Sequence, residues 1–107
     1  MANFDAFLAG LKKDITAFAQ SQFKDLKDQA VADGNAFVKG IEADLKNWTS
    51  QLAAGKLSRD DFEFLVASKK DSAELEALKL AGLAQARKDQ FVNGLVAVVV
   101  GAAMKAV

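Results

Sequence analysis

The sequence contains no histidine, cysteine, tyrosine or proline. Histidine and cysteine are the side chains that most often move protons near neutral pH, attack as nucleophiles or bind soft metal ions, so their absence removes most catalytic designs. The absence of cysteine also excludes a disulfide framework. The remaining carboxylates, lysines and hydroxyls form no recognisable nucleophile motif, and we expect no enzyme, no cofactor and no metal site.

An excess of charge of one sign is also missing, since 14 lysines and arginines balance 14 aspartates and glutamates. A neutral chain has no overall field that attracts polyanions, so we expect no nucleic-acid partner. The densest acidic cluster, Asp60 and Asp61 with Glu63, follows Ser58. We interpret it as the first turn of a helix, where acidic side chains favour the helix dipole. No small-molecule substrate is indicated.

The longest stretch without a polar side chain covers eleven residues, from Gly94 to Met104. A transmembrane helix needs about 20 apolar residues, so this segment is too short to cross a bilayer. Asp5 interrupts the apolar character of the first residues, and no secretory signal is predicted. We expect a cytoplasmic protein by default, and signal-less export stays open.

The first half of the chain carries an eleven-residue repeat. Two columns of the repeat, four positions apart, hold only apolar residues, namely Phe4, Ile15, Leu26, Phe37 and Trp48 in the first, and Leu8, Ala19, Ala30, Ile41 and Leu52 in the second. Eleven residues span about three helical turns, so the columns form one stripe along a helix. The pattern predicts an amphipathic helix over about residues 3–54. The turn-like tripeptide Asp33-Gly34-Asn35 leaves a break there open.

The second half predicts another helical segment, over about residues 58–106. Ser58 with Asp61 resembles a capping box at its start, and Gly55 fits the end of the preceding helix. Lys69 to Ser72 is polar and leaves a second break open. Apolar residues lie on two faces of this segment, so a single partner helix covers only one of them.

The two helices predict an all-α fold in a single domain, residues 1–107. We expect an antiparallel helical hairpin that packs as a coiled coil into an oligomeric bundle, because one hairpin has too little inward surface for eight phenylalanines and the valine run. The alternative is a compact four-helix bundle with breaks near Gly34, Gly55 and Ser72.

Two sets of residues are predicted to carry the packing. The stripe of the first half forms a core or interface and consists of Phe4, Leu8, Ile15, Leu26, Phe37, Ile41, Trp48 and Leu52. The apolar tail supplies an oligomer interface and consists of Phe91, Leu95, Val96, Val98, Val99 and Val100. The chain is therefore predicted to form a homo-oligomer.

The functional hypothesis is a non-enzymatic, self-assembling structural or interaction protein. One alternative is an amphipathic protein that binds lipid or another hydrophobic surface, since eleven-residue repeats of apolipoprotein-like chains do so, and the chain resembles phasins in its alanine and phenylalanine content. A second alternative is a secreted or phage-type helical hairpin that depends on a partner. The chain is similar to secreted WXG-type hairpins in length and architecture, but Trp48-Thr49-Ser50 lacks their motif glycine.

Overall fold

The computed structural model describes residues 4–107, and within that range every regular element is helical. Six α-helices follow one another along the chain, and two short 3₁₀ turns separate some of them. The helices are α1 (Phe4–Gln22), α2 (Lys27–Gly40), α3 (Glu42–Ala53), α4 (Arg59–Ala67), α5 (Glu76–Leu80) and α6 (Gln85–Ala106), and the 3₁₀ turns are Lys24–Leu26 and Lys70–Ser72. The predicted all-α class is confirmed.

Helix α6 lies at the centre of the packing. It contacts α1 on one side and α4 on another, while α2 contacts α1 and α5, and α3 contacts α4. The described chain measures 42 × 23 × 19 Å. The helices thus form a bundle that closes on itself within one chain. None of the helices in residues 4–107 combines the length and the apolar character that a bilayer crossing requires.

The predicted single helix over about residues 3–54 is wrong, although its first residue lies outside the described range. The chain leaves the helical conformation at Phe23, with φ −136° and ψ 49°, and at Ile41, with φ −115° and ψ 17°. Both side chains are buried. Tertiary packing explains the breaks, because α2 folds back along α1 and covers apolar surface that one straight helix leaves in water.

The eleven-residue repeat is also not the period with which α1 packs. The buried residues of α1 are Phe7, Leu11, Ile15 and Ala19, which recur every four residues. Of the four, only Ile15 and Ala19 belong to the two apolar columns. No continuous two-helix coiled coil therefore forms along residues 4–53, and the hairpin expected from the repeat is replaced by shorter helices.

The second half also divides, with α4, a 3₁₀ turn and α5 preceding α6. The break left open at Lys69 to Ser72 is present, and further breaks separate α5 from α6 and leave no continuous helix over residues 58–106. The structure places the predicted cap at Ser58, whose Oγ accepts a hydrogen bond from the Asp61 backbone N–H at 3.1 Å. Gly55 has φ +75° at the end of α3, a conformation that glycine adopts without strain. The architecture is nearer to the compact bundle, except that no break occurs at Gly34.

The tripeptide Asp33-Gly34-Asn35 is a helical segment inside α2. Gly34 faces the core, where a Cβ atom would lie 2.8 Å from Ile15 Cγ2, 3.5 Å from Leu95 Cδ1 and 3.8 Å from Phe91 Cζ. Only glycine leaves enough room for α2 to lie this close to α1 and α6. The glycine of this turn-like tripeptide is therefore required by the close contact of α2 with α1 and α6.

Gly34→Ala is expected to destabilise the protein by about 1–3 kcal/mol, because the new methyl overpacks against Ile15. Ile15 Cγ2 is attached directly to a branched Cβ and moves little. Gly10→Ala is the matched control, since nothing lies within 4 Å of its Cβ position in α1. That change is expected to stabilise the protein by about 0.5–1 kcal/mol through helix propensity. Urea unfolding of both variants measures the difference, and a stabilising Gly34→Ala would contradict the close contact.

Candidate interaction surface

The stripe residues predicted for the first half lie in or against the core of the single chain. Ile15, Phe37 and Ile41 are buried. The other five residues of the set are half-buried and pack against the core, namely Phe4, Leu8, Leu26, Trp48 and Leu52. These side chains stabilise the monomer and offer little free surface for another molecule.

The apolar tail is covered by the same chain. In α6 the side chains of Phe91, Leu95, Val96, Val99 and Val100 are buried, and Val98 is half-buried. An oligomer interface is expected at these residues if no other part of the chain covers the tail. Helices α1 and α4 supply that cover. The tail therefore belongs to the core, and a charge at Val99 would unfold the chain rather than report on assembly.

The solvent side of α6 is a surface that the sequence reasoning missed. Its residues follow one another at intervals of three or four and are all exposed, namely Ala86, Gln90, Asn93, Ala97, Gly101 and Met104, and we call them the α6 face. None of them is charged, although 26% of the chain is. A signal was available, because residues 90–104 contain no charged side chain at all.

An apolar groove of about 420 Å³ borders the α6 face, where α6 lies beside α1. Seven residues line it, namely Phe18, Gln22, Phe23, Gln90, Gly94, Ala97 and Val98. Gly94 brings the ring of Phe18 against the α6 backbone, since a Cβ atom there would lie 2.5 Å from Phe18 Cζ. The groove thus depends on a glycine at the helix contact.

Three phenylalanine rings support the groove from below. The ring centroid of Phe91 lies 5.8 Å from that of Phe18 and 5.3 Å from that of Phe23, and Phe18 and Phe23 are 5.7 Å apart. Edge-to-face and offset contacts at these distances are favourable for aromatic pairs. Because Phe23 and Phe91 are fully buried, the floor of the groove is fixed by the core.

Two ion pairs link α6 to the first part of the chain. Lys105 Nζ lies 3.2 Å from Asp14 Oδ2 of α1. Arg87 donates to both carboxylate oxygens of Asp25, in the first 3₁₀ turn, at 2.9 and 3.0 Å. This hydrogen bonding lowers the pKa of Asp25 and raises the pKa of Arg87. None of the seven residues that line the groove is charged.

No three acidic side chains in residues 4–107 are close enough to hold a metal ion. Asp60, Asp61 and Glu63 lie exposed in the first turns of α4, with Arg59 3.9 Å from Glu63. This position agrees with our interpretation of these acids as residues of a helix start.

Comparison with known proteins yields no relative. No family model matches the chain, and no curated protein or solved structure shows significant similarity to it.

Proposed function

We propose that the chain is a non-enzymatic helical interaction protein that self-associates through the α6 face and the groove. The observation that carries the proposal is an exposed helix side without charge on a protein in which 26% of the residues are charged. The cores of protein interfaces are depleted in charged residues, because each charge must lose its water when the partner binds. The α6 face has this composition before any partner is present.

The dimensions of the face also suit close packing against a second copy. Ala97 has a short side chain and Gly101 has none. The axes of two helices can therefore approach to the shortest distance of the usual 8–10 Å range. Helix α6 is 22 residues long, about six turns, which gives the contact sufficient length. A second copy is therefore sterically compatible with this surface.

The face is complementary to itself about Ala97. If two α6 helices pack antiparallel with Ala97 at the two-fold axis, Met104 of one copy lies opposite Gln90 of the other, since each is seven residues from Ala97. Gln90 lines the groove, and Met104 is 38% exposed. Methionine is flexible and fills irregular apolar gaps. Each copy thus offers one apolar side chain and one groove.

The alternative function, binding lipid through amphipathic helices, requires a larger conformational change than self-association does. In that mode the apolar columns of the first half contact lipid. Those residues pack in or against the core of the bundle, so the bundle has to open before they become available. Self-association through the α6 face needs no such opening, and we therefore favour it.

Ala97→Glu is expected to convert a self-associated wild-type protein into a monomer of 11.4 kDa. The carboxylate would stand at the centre of the α6 face, and pairing two copies would bury two like charges. Light scattering on a sizing column at several concentrations measures the mass. The melting temperature is expected to stay at the monomer's value, since Ala97 is exposed.

Ala43→Glu is the matched control for that experiment. Ala43 is also an exposed alanine inside a helix, but it lies on α3, away from the α6 face. The variant is expected to keep the wild-type mass. A wild-type protein that is monomeric at every concentration would refute the proposal, and so would an Ala97→Glu variant with wild-type mass.

A further inference from the structure

A polar cleft of about 520 Å³ lies between the second 3₁₀ turn, α5 and the N-terminal part of α6. Three lysines line it, namely Lys70, Lys79 and Lys88, together with the apolar side chains of Ala73, Leu75 and Val92. Asp71 and Asp89 line it as well, so the cleft retains one net positive charge. The neutral composition of the whole chain conceals this local gathering of lysines.

The three ammonium groups form no ion pair with a described carboxylate, as is also true of other lysines of the chain, but these three line one cleft. In the described residues, Arg59, Lys69, Arg87 and Lys105 each lie within 4.0 Å of a carboxylate oxygen. No such pair involves the lysines of the cleft. Asp89 already accepts a hydrogen bond from Gln85 Nε2 at 2.9 Å. The cleft therefore presents ammonium groups that are free to bind an external anion.

Leu80 lies next to Lys79 at the end of α5, and 90% of its surface is exposed. Ala81 and Gly82 follow it and are exposed too, with Gly82 at φ +79° in the turn toward α6. A leucine with this exposure buries very little apolar surface when the chain folds. It forms an apolar tip beside the lysines of the cleft.

We propose that this corner of the molecule docks on an anionic phospholipid surface. Leu80 enters the boundary between headgroups and acyl chains, and Lys70, Lys79 and Lys88 bind lipid phosphates. A soluble phosphate compound in the cleft would satisfy the lysines but leave Leu80 in water, whereas a bilayer covers both. One apolar side chain and one net charge make the attachment reversible and sensitive to salt.

Vesicle flotation tests the proposal, with vesicles of phosphatidylcholine and phosphatidylglycerol in a two-to-one ratio and vesicles of phosphatidylcholine alone. The wild-type protein is expected to float with the anionic vesicles at low salt, and much less with the neutral ones. Leu80→Ser is expected to weaken binding to anionic vesicles about tenfold. Lys79→Gln is expected to weaken it about fivefold, through the loss of one basic charge.

Phe64→Ser is the matched control, because Phe64 is 72% exposed on α4 and does not line the cleft. Its binding to vesicles is expected to equal that of the wild type. Circular dichroism checks that every variant keeps its helical content. Equal flotation of Leu80→Ser and wild type would overturn the proposal. A wild-type protein that does not float with anionic vesicles would overturn the proposal as well. This holds even if calorimetry shows that inorganic phosphate binds in the cleft.

Discussion

Replacing Phe91 with alanine is expected to remove about 3–5 kcal/mol from the free energy of unfolding, the range for deleting a buried aromatic ring. Phe91 is fully buried and packs against the rings of both Phe18 and Phe23. It also approaches α2, since its Cζ would be 3.8 Å from a Cβ at Gly34. One truncation therefore leaves a cavity where α1, α2 and α6 meet.

The loss is a large share of the stability of a domain this size, which is about 5–15 kcal/mol. We expect the melting temperature to fall by about 15 °C or more. Calorimetry or thermal circular dichroism measures it. Because Phe18 and Phe23 form the groove floor with Phe91, we also expect the variant to self-associate less.

Phe64→Ala is the matched control for Phe91→Ala, since it deletes the same ring from a side chain that is 72% exposed. Its effect on the free energy of unfolding is expected to stay within about 0.5 kcal/mol. If the two variants melted together, the position of Phe91 at the centre of the core would be wrong.

Asp33→Ala is expected to destabilise the protein by about 2–4 kcal/mol, because two backbone donors in a weakly hydrated site lose their charged acceptor. Asp33 is 7% exposed. Its Oδ1 accepts from the Ala77 N–H at 3.1 Å, and its Oδ2 accepts from the Leu78 N–H at 2.8 Å. The carboxylate of α2 thus caps the first turn of α5, more than forty residues away in the sequence.

The short α5 depends on this cap because its local sequence does not favour it. Leu75, directly before the helix, has φ +51° and ψ 42°, a left-handed conformation that costs a leucine about 1–2 kcal/mol. No side chain of α5's own segment caps the helix. Without Asp33 we therefore expect the segment around α5 to loosen before the rest of the bundle unfolds.

Hydrogen exchange of the Ala77 and Leu78 amides, together with urea unfolding, measures the effect of Asp33→Ala. The matched control is Asp28→Ala, an exposed acid at the start of the same helix, with an expected loss of at most about 1 kcal/mol from the helix dipole. Asp33→Asn keeps one acceptor oxygen, and its loss of stability is expected to lie between the losses of Asp33→Ala and Asp28→Ala. Equal stability of Asp33→Ala and Asp28→Ala would show that the cap does not hold α5.

The sequence predicted features that depend on neighbouring residues. The all-α class follows from helical periodicity, and the start of α4 follows from Ser58, whose hydroxyl caps a donor three residues later. Gly55 ends α3 as expected, because a left-handed position after a helix strongly favours glycine. Each of these signals acts within one or two helical turns.

The helix break at Phe23 had no comparable signal, since no glycine or proline lies near it. The break at Ile41 directly follows Gly40, the last residue of α2, so a local signal was present there. Both breaks place large apolar side chains in the core, and the gain depends on which helices arrive from elsewhere in the chain. The tripeptide Asp33-Gly34-Asn35 resembles a turn in the sequence but is helical in the structure, again because of contacts with distant segments. Asp33 serves α5 and Gly34 serves the contact with α1, so the two residues are explained only by distant partners.

The α6 face could be predicted from the sequence only in part. The charge-free stretch of residues 90–104 is evident in the sequence, but there it describes buried and exposed residues alike. Only the contacts of α6 with α1 and α4 separate the valines of the core from Ala97 and Gly101 on the outside. The gathering of Lys70, Lys79 and Lys88 around one cleft likewise requires the folded chain.

By itself, the sequence determined the helical class, the helix cap at Ser58 and the end of α3, because periodicity follows from local helix geometry and capping from hydrogen bonds between near neighbours. The tertiary structure alone decided the break at Phe23, which side of α6 is buried and which charges meet. Those outcomes depend on apolar burial and hydrogen bonds between distant segments, and the free energy of such contacts exists only after the chain has folded.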